Sequence, residues 1–287
     1  MRNNEDRLGA APAPDGAVPA VFNQAPQSSG GLSFTVPTEF VELPSRGKFY
    51  PEGHPLHNST DLEIKFMTAK EEDILSSAAL IRRGVALDRL IDSLLIDKRI
   101  KGLSLLTGDR NAILIAARRS AFGSAYETTV VCPQCEAVED HVFDLEGFSM
   151  VNNCTDEVFL QENNIEYDPE TGQFLVLLPK CGVRVGVALM TGQDETDLYL
   201  KTNKKGKNDS TVTDQLNVII RSVNGDPDRF TIKRFVNTLP ISDSKYLRKI
   251  YSDLVPTVDL TQTFACSSCG HLEDMEVPFN TDFFWPE

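Results

Sequence analysis

Two C-x-x-C pairs, Cys132/Cys135 and Cys266/Cys269, constrain this chain most, because 130 residues separate one pair from the other. Placed in one frame, VVCPQCEAVEDHVF (130–143) and FACSSCGHLEDMEV (264–277) repeat a pattern. An apolar residue stands two before the first cysteine, and Glu-Asp falls seven and eight after it, at Glu139-Asp140 and Glu273-Asp274. A C-x-x-C turn presents two sulfurs on one side, and two such turns supply the four thiolates that close a tetrahedron around Zn²⁺. The pattern predicts a closed structural zinc site on Cys132, Cys135, Cys266 and Cys269, with no open position for a substrate. The material between the knuckles is then an insertion that leaves a strand, knuckle, strand module and returns to it. A redox dithiol is a second reading, but it needs one C-x-x-C at a helix N-terminus that lowers its thiolate pKa, whereas both pairs here fall between predicted strands. Unmetallated, partly buried thiols are a third. His271 could replace one ligand, yet with four cysteines available we read it as a surface residue.

The charge balance narrows the partners. The 287 residues carry 28 Lys and Arg against 42 Asp and Glu, a net −14, which argues against a protein that tracks phosphates. Hydrophobic residues at 41% and charged residues at 24% are ordinary globular values, which exclude wholesale disorder and disulfide-dense miniproteins. No apolar stretch approaches the roughly 20 residues that cross a bilayer. MRNNEDRLGAAPAPDG has no apolar signal region, so a soluble, non-secreted protein is expected.

Along the chain the text changes character several times. Residues 1–31 are Pro- and Ala-rich and read as a disordered arm. From Leu32, FTVPTEFVELPSRGKFYPEGHPL reads as an extended wrapping segment, and DLEIKFM (61–67) alternates as a half-buried strand. Thr68-Ala-Lys-Glu71 is a capping box that opens a helix running to Gly84. Leu87, Leu90, Ile91, Leu94 and Leu95 form the stripe of a second helix, and Asp109 is placed to cap a third through Phe122. Strands are expected at 126–131, 137–145, 173–179 and 183–190, helices at 191–203, 210–223 and 242–254, and a strand again at VDLTQTFA. The fold class is α+β: helical segments around short antiparallel strands, with a zinc-ribbon-like module made from two distant knuckles. The expected organisation is an arm (1–31), an extended segment, strand and three-helix block (32–124), the module (125–150 with 257–287), and an inserted hairpin and helical region (151–256).

Other chemistry-bearing residues carry less. His54 and His57 lie in a Pro-rich stretch without an orienting carboxylate and read as loop residues. Cys154 and Cys181 read as small buried hydrophobes, and Arg82-Arg83 and Arg118-Arg119 as structural charges closing helices. Four histidines, none in a nucleophile-base arrangement, and the lack of phosphate-binding or metalloprotease motifs point away from an enzyme. Phe279, Phe283, Phe284 and Trp285 crowd the C-terminus. Packing on their own domain is one reading, and insertion into a partner surface, where aromatic anchors concentrate binding energy, is the other.

FVELPSRGKFYPEGHPL followed by a strand and MTAKEEDIL, together with the ending FACSSCGHLEDMEVPFNTDFFWP, resembles the T4-like bacteriophage baseplate protein family, to which the baseplate hub subunit belongs. The resemblance covers residues 33–287, and its LPSRGKFYP segment is the more specific part. It implies a non-enzymatic hub subunit or assembly factor that binds other phage baseplate and tail proteins, located in the virion tail and, during assembly, the host cytoplasm. Phe49, Tyr50, Phe283, Phe284 and Trp285 are the candidate partner contacts. A zinc-ribbon nucleic-acid or transcription adaptor, and a thiol oxidoreductase using Cys132 and Cys135, stand as rivals.

Overall fold

The computed structural model describes residues 36–146, 148–205, 211–278 and 281–284. The expected arm (1–31), Phe279 and Trp285 lie outside the described residues. Residues 36–287 cluster as one unit, and its buried side chains form one continuous apolar core.

The unit opens with β1 (Thr38–Glu42) antiparallel to β2 (Asp61–Lys65), joined by the Pro-rich wrap, followed by α1 (Ala69–Ser76), α2 (Ala78–Arg82), α3 (Ala86–Leu94) and α4 (Thr107–Phe122). Next come β3 (Ala125–Val131), β4 (Val138–Asp144), β5 (Ser149–Val151), α5 (Glu157–Glu162), β6 (Ile165–Asp168), β7 (Gln173–Leu177) and β8 (Arg184–Val187). The chain closes with α6 (Gly192–Lys205), α7 (Thr211–Ile219), β9 (Ile220–Val223), α8 (Arg229–Thr238), α9 (Ile241–Leu254), β10 (Thr257–Asp259), β11 (Thr261–Ala265) and β12 (Leu272–Glu276). β6, β7, β8 and β9 make a four-stranded antiparallel sheet, while β1/β2, β3/β4, β11/β12 and β5/β10 are two-stranded. The α+β expectation holds at this level, a mixed fold with small antiparallel sheets.

The capping box forms as expected: Glu71 accepts from the Thr68 N–H at 3.0 Å and its hydroxyl at 2.6 Å. The helix behind it is two helices, not one. Ser77 leaves the helical region at ψ 100°, and its carbonyl accepts from Leu80 and Ile81 to start α2. The stripe of α3 is buried at Leu90, Ile91, Leu94 and Leu95, but Leu87 is exposed.

Asp109 is not the cap of α4. The helix begins two residues earlier, behind Leu106, so Asp109 sits in its first turn and reaches the wrap instead. It accepts from the Ser45 N–H (3.0 Å) and hydroxyl (2.6 Å) and from the Tyr50 hydroxyl (2.7 Å), which locks LPSRGKFYP onto α4. Arg46 and Gly47 turn that segment in the left-handed region. A side chain at Gly47 would also strike the backbone of Leu56 and Ser59 within 2.6 Å.

The expected helix over 210–223 stops at Ile219, and Ile220–Val223 is a strand against β8. Long-range pairing overrides a local helical period there: the Ser222 hydroxyl donates to Gln173 at 2.6 Å, through the space that Gly186 leaves without a Cβ. VDLTQTFA is broken at Leu260 into β10 and β11, which pair with different partners.

Candidate metal centre

Each cysteine pair sits in a tight turn between the strands of a hairpin, β3/β4 or β11/β12. In the first, the Cys132 N–H donates to Ala137 (2.8 Å) and the Glu136 N–H to Cys132 (2.9 Å). In the second, Cys266 donates to His271 and Gly270 to Cys266, both at 2.9 Å. The residue four past each first cysteine takes a positive φ, 58° at Glu136 and 73° at Gly270. The strands repeat as well. Thr129 donates to Asp140 and Thr263 to Asp274 across equivalent rungs, and Val130 and Phe264, each two before its cysteine, are buried. The Glu-Asp repeat thus marks a real structural duplication, with the aspartate tied to a threonine three residues before the first cysteine.

The two knuckles face each other. Cys132 Sγ lies 3.8 Å from Cys269 Sγ, and Cys135 Sγ lies 3.7 Å from Cys266 Sγ. All four sulfurs fall within 4.8 Å of one another, and all four are free thiols, not disulfides. Four sulfurs at about 2.3 Å from a tetrahedral ion sit roughly 3.8 Å apart, so this set could hold one. Cys132 and Cys266 are buried, whereas Cys135 and Cys269 are exposed.

The thiols differ in how readily they ionise. Burial opposes ionisation of Cys132, yet the backbone N–H groups of Cys135 and Gln134 aimed at its sulfur pull its pKa down. Cys266 receives equivalent N–H groups from Cys269 and Ser268, but burial and the neighbouring thiols push it up. Four crowded thiols cannot all ionise unless a positive ion compensates them.

Further contacts hold the hairpins in register. The Gln262 side-chain amide accepts from the Asp144 N–H at 3.0 Å and donates to its carbonyl at 2.6 Å, standing in for a missing strand rung. Glu139 accepts from the Ser267 N–H at 3.1 Å and from its hydroxyl. The equivalent position in the first knuckle is Pro133, which has no N–H to offer, and Glu273 contacts His271 instead. The His141 ring lies edge-on to Phe143 and Phe264, one from each hairpin. Gln262 and Ser267 carried no signal in the sequence.

The other candidates fall elsewhere. His271 is not in the thiol cluster. His54 stacks on Tyr50 and His57 bonds the Tyr50 carbonyl, so both serve the wrap. Cys154 is buried and bonds the Leu254 carbonyl; Cys181 is exposed, contrary to expectation, at a hairpin turn whose N–H groups are bound by Asp243. Among the aromatic candidates, Phe49 is half-buried and Tyr50, Phe283 and Phe284 are buried. Phe283 packs on Tyr126 at 5.1 Å, and its carbonyl accepts from the Arg118 guanidinium at 2.6 Å. Phe283 and Phe284 are therefore packed in the core of their own unit. Arg118, 2% exposed, holds the C-terminal segment against α4.

The described residues form a mixed α/β unit with small antiparallel sheets, in which two hairpins from distant parts of the chain meet at four thiols. The family model for the T4 bacteriophage base plate protein matches residues 36–285, most of the chain, and the chain belongs to that family. No curated protein and no solved structure matches it. No described helix is long and apolar enough to cross a membrane.

Proposed function

We propose that this chain is a non-enzymatic structural or assembly protein of a contractile phage tail baseplate hub, acting by binding other baseplate and tail proteins. The observation that carries the reading is the family match over residues 36–285. The net charge of −14 supports protein rather than nucleic acid as the ligand, and its place is the virion tail, with the host cytoplasm during assembly.

Cys132, Cys135, Cys266 and Cys269 hold a structural Zn²⁺ in this reading, a choice supported by the all-sulfur donor set and by sulfur spacings suited to a closed tetrahedral site. Residues 125–150 and 257–287 then form a zinc-ribbon-like module, and 151–256 is its insertion. The ion's part is to hold two remote hairpins together; the protein surfaces do the binding. The test is affinity purification of the tagged chain from infected cells, with partners identified by mass spectrometry at low and moderate salt. Recovery of tail or baseplate proteins at both salts is expected. Recovery of polymerase or nucleic acid that is lost as salt rises would replace the hub reading with a transcription adaptor, and disulfide reductase activity would replace it with an oxidoreductase.

A further inference from the structure

From Ser120 to Pro179, and again from Ile250 to Glu287, the sequence contains no lysine or arginine, yet these two stretches hold 19 of its 42 acidic residues. The remainder carries all 28 lysines and arginines against 23 carboxylates. Charge is thus unevenly distributed along the sequence. The fold brings cation-free elements of the two stretches together, because β3/β4 and β11/β12 meet at the thiols and β5 pairs with β10.

On β3/β4 the strand alternation sends Tyr126, Val130 and Phe143 into the core. The other face carries Glu127, Val131, Val138, Asp140 and Val142, with the three valines 57%, 66% and 54% exposed. Val131 stands directly opposite Val138, and Glu127 opposite Val142. This is an aliphatic sheet face edged by carboxylates, and no cation occurs in either strand.

Elsewhere in the unit, residues of α1, α2, α3 and their flanks line an open groove of about 770 Å³ that includes Ile74, Leu80, Lys65, Lys70, Arg89 and Lys98, with Lys65 paired to the buried Glu71 at 2.7 Å. Its one carboxylate, Asp92, is engaged by the Gly102 N–H. Among the described residues Lys70 and Arg89 form no ion pair. The groove offers aliphatic surface with positive charge, and the hairpin face offers aliphatic surface with negative charge. Both are built on elements fixed in the same core, so neither is free to fold over the other within one copy.

We infer that the occupant of the acidic β3/β4 face is the basic groove of a second copy of this chain. Complementary fields of this kind steer and orient association, and like charges across the same contact oppose it.

The test is light scattering on the full chain over about 1–100 µM at about 50 mM and about 500 mM NaCl, with added salt expected to weaken the association by screening. The wild type should assemble with concentration at low salt. Glu127→Lys/Asp140→Lys and Lys70→Glu/Arg89→Glu should each weaken self-association at least about tenfold, with unchanged circular dichroism and thermal midpoint. An equimolar mixture of the two variants should associate again, because each then offers the charge the other lacks. A wild type that stays monomeric throughout overturns the inference, as does association that neither variant changes or that mixing fails to restore. A monomer whose acidic face binds an oligolysine peptide, with binding lost in Glu127→Lys/Asp140→Lys, assigns that face to a different basic protein and also overturns it.

Discussion

Cys266 is buried and its sulfur lies 3.7 Å from Cys135 Sγ, so replacing it leaves three thiols around an unfilled corner. Native mass spectrometry should find one zinc per chain in the wild type and none in Cys266→Ser. The stability loss should be on the order of 5 kcal/mol, since structural zinc contributes folding free energy directly. A metal-free, fully folded wild type would remove the zinc assignment. Glu71 behaves differently. It is fully buried and accepts from Lys65 at 2.7 Å, Ser93 at 2.5 Å and Thr68. Burial alone would raise its pKa, but the bonds from Lys65, Ser93 and Thr68 outweigh it and bring the carboxyl down to about 2. A depressed carboxylate pKa stabilises the fold fully above its ordinary value of 4.5 and loses that stabilisation as pH falls toward 2. Glu71→Gln should therefore cost about 2–3 kcal/mol in urea unfolding at pH 7. That deficit should shrink steadily between pH 5 and pH 2, at about those limits; a deficit independent of pH would show that the charge is not what matters.

At the scale of elements, α4 organises the unit. Its first turn holds the wrap through Asp109, and Arg118, just before its last turn, holds the C-terminal segment. It also lies so close to the start of β10 that a Cβ on Gly108 would fall 1.8 Å from the Pro256 carbonyl oxygen. Gly108→Ala, which would stabilise an isolated helix, should instead destabilise this protein by about 2–3 kcal/mol, because backbone has to shift. Thermal unfolding will check the sign, and a gain in midpoint would mean that the contact relaxes freely. Elements of this kind were partly legible. The capping box, the strand at DLEIK and the helix at Ile241–Leu254 follow from local spacing, since each is set by neighbours within a few residues. α8, β6 and the strand character of Ile220–Val223 escaped that reading. A short apolar run has no period of its own, and β9 exists only because β8 lies beside it.

For the whole molecule, the thiol cluster joins segments 130 residues apart, so removing the proposed zinc should act on both at once. After treatment with a zinc chelator, hydrogen exchange should rise together over 125–145 and 257–278, while β6–β9 stay protected longer. Loosening of one hairpin alone would show that the knuckles fold independently. The sequence by itself determined the four cysteines that cluster, the repeat that pairs them, the acidic balance and the LPSRGKFYP segment that resembles the baseplate family. These are written in residue types and short spacings. Only the tertiary structure decided that the knuckles face each other, that Asp109 fastens the wrap instead of capping its helix, and that Phe283 and Phe284 turn inward. Each depends on which distant residue becomes a neighbour, and that follows from packing the whole core at once, not from any local stretch of chain.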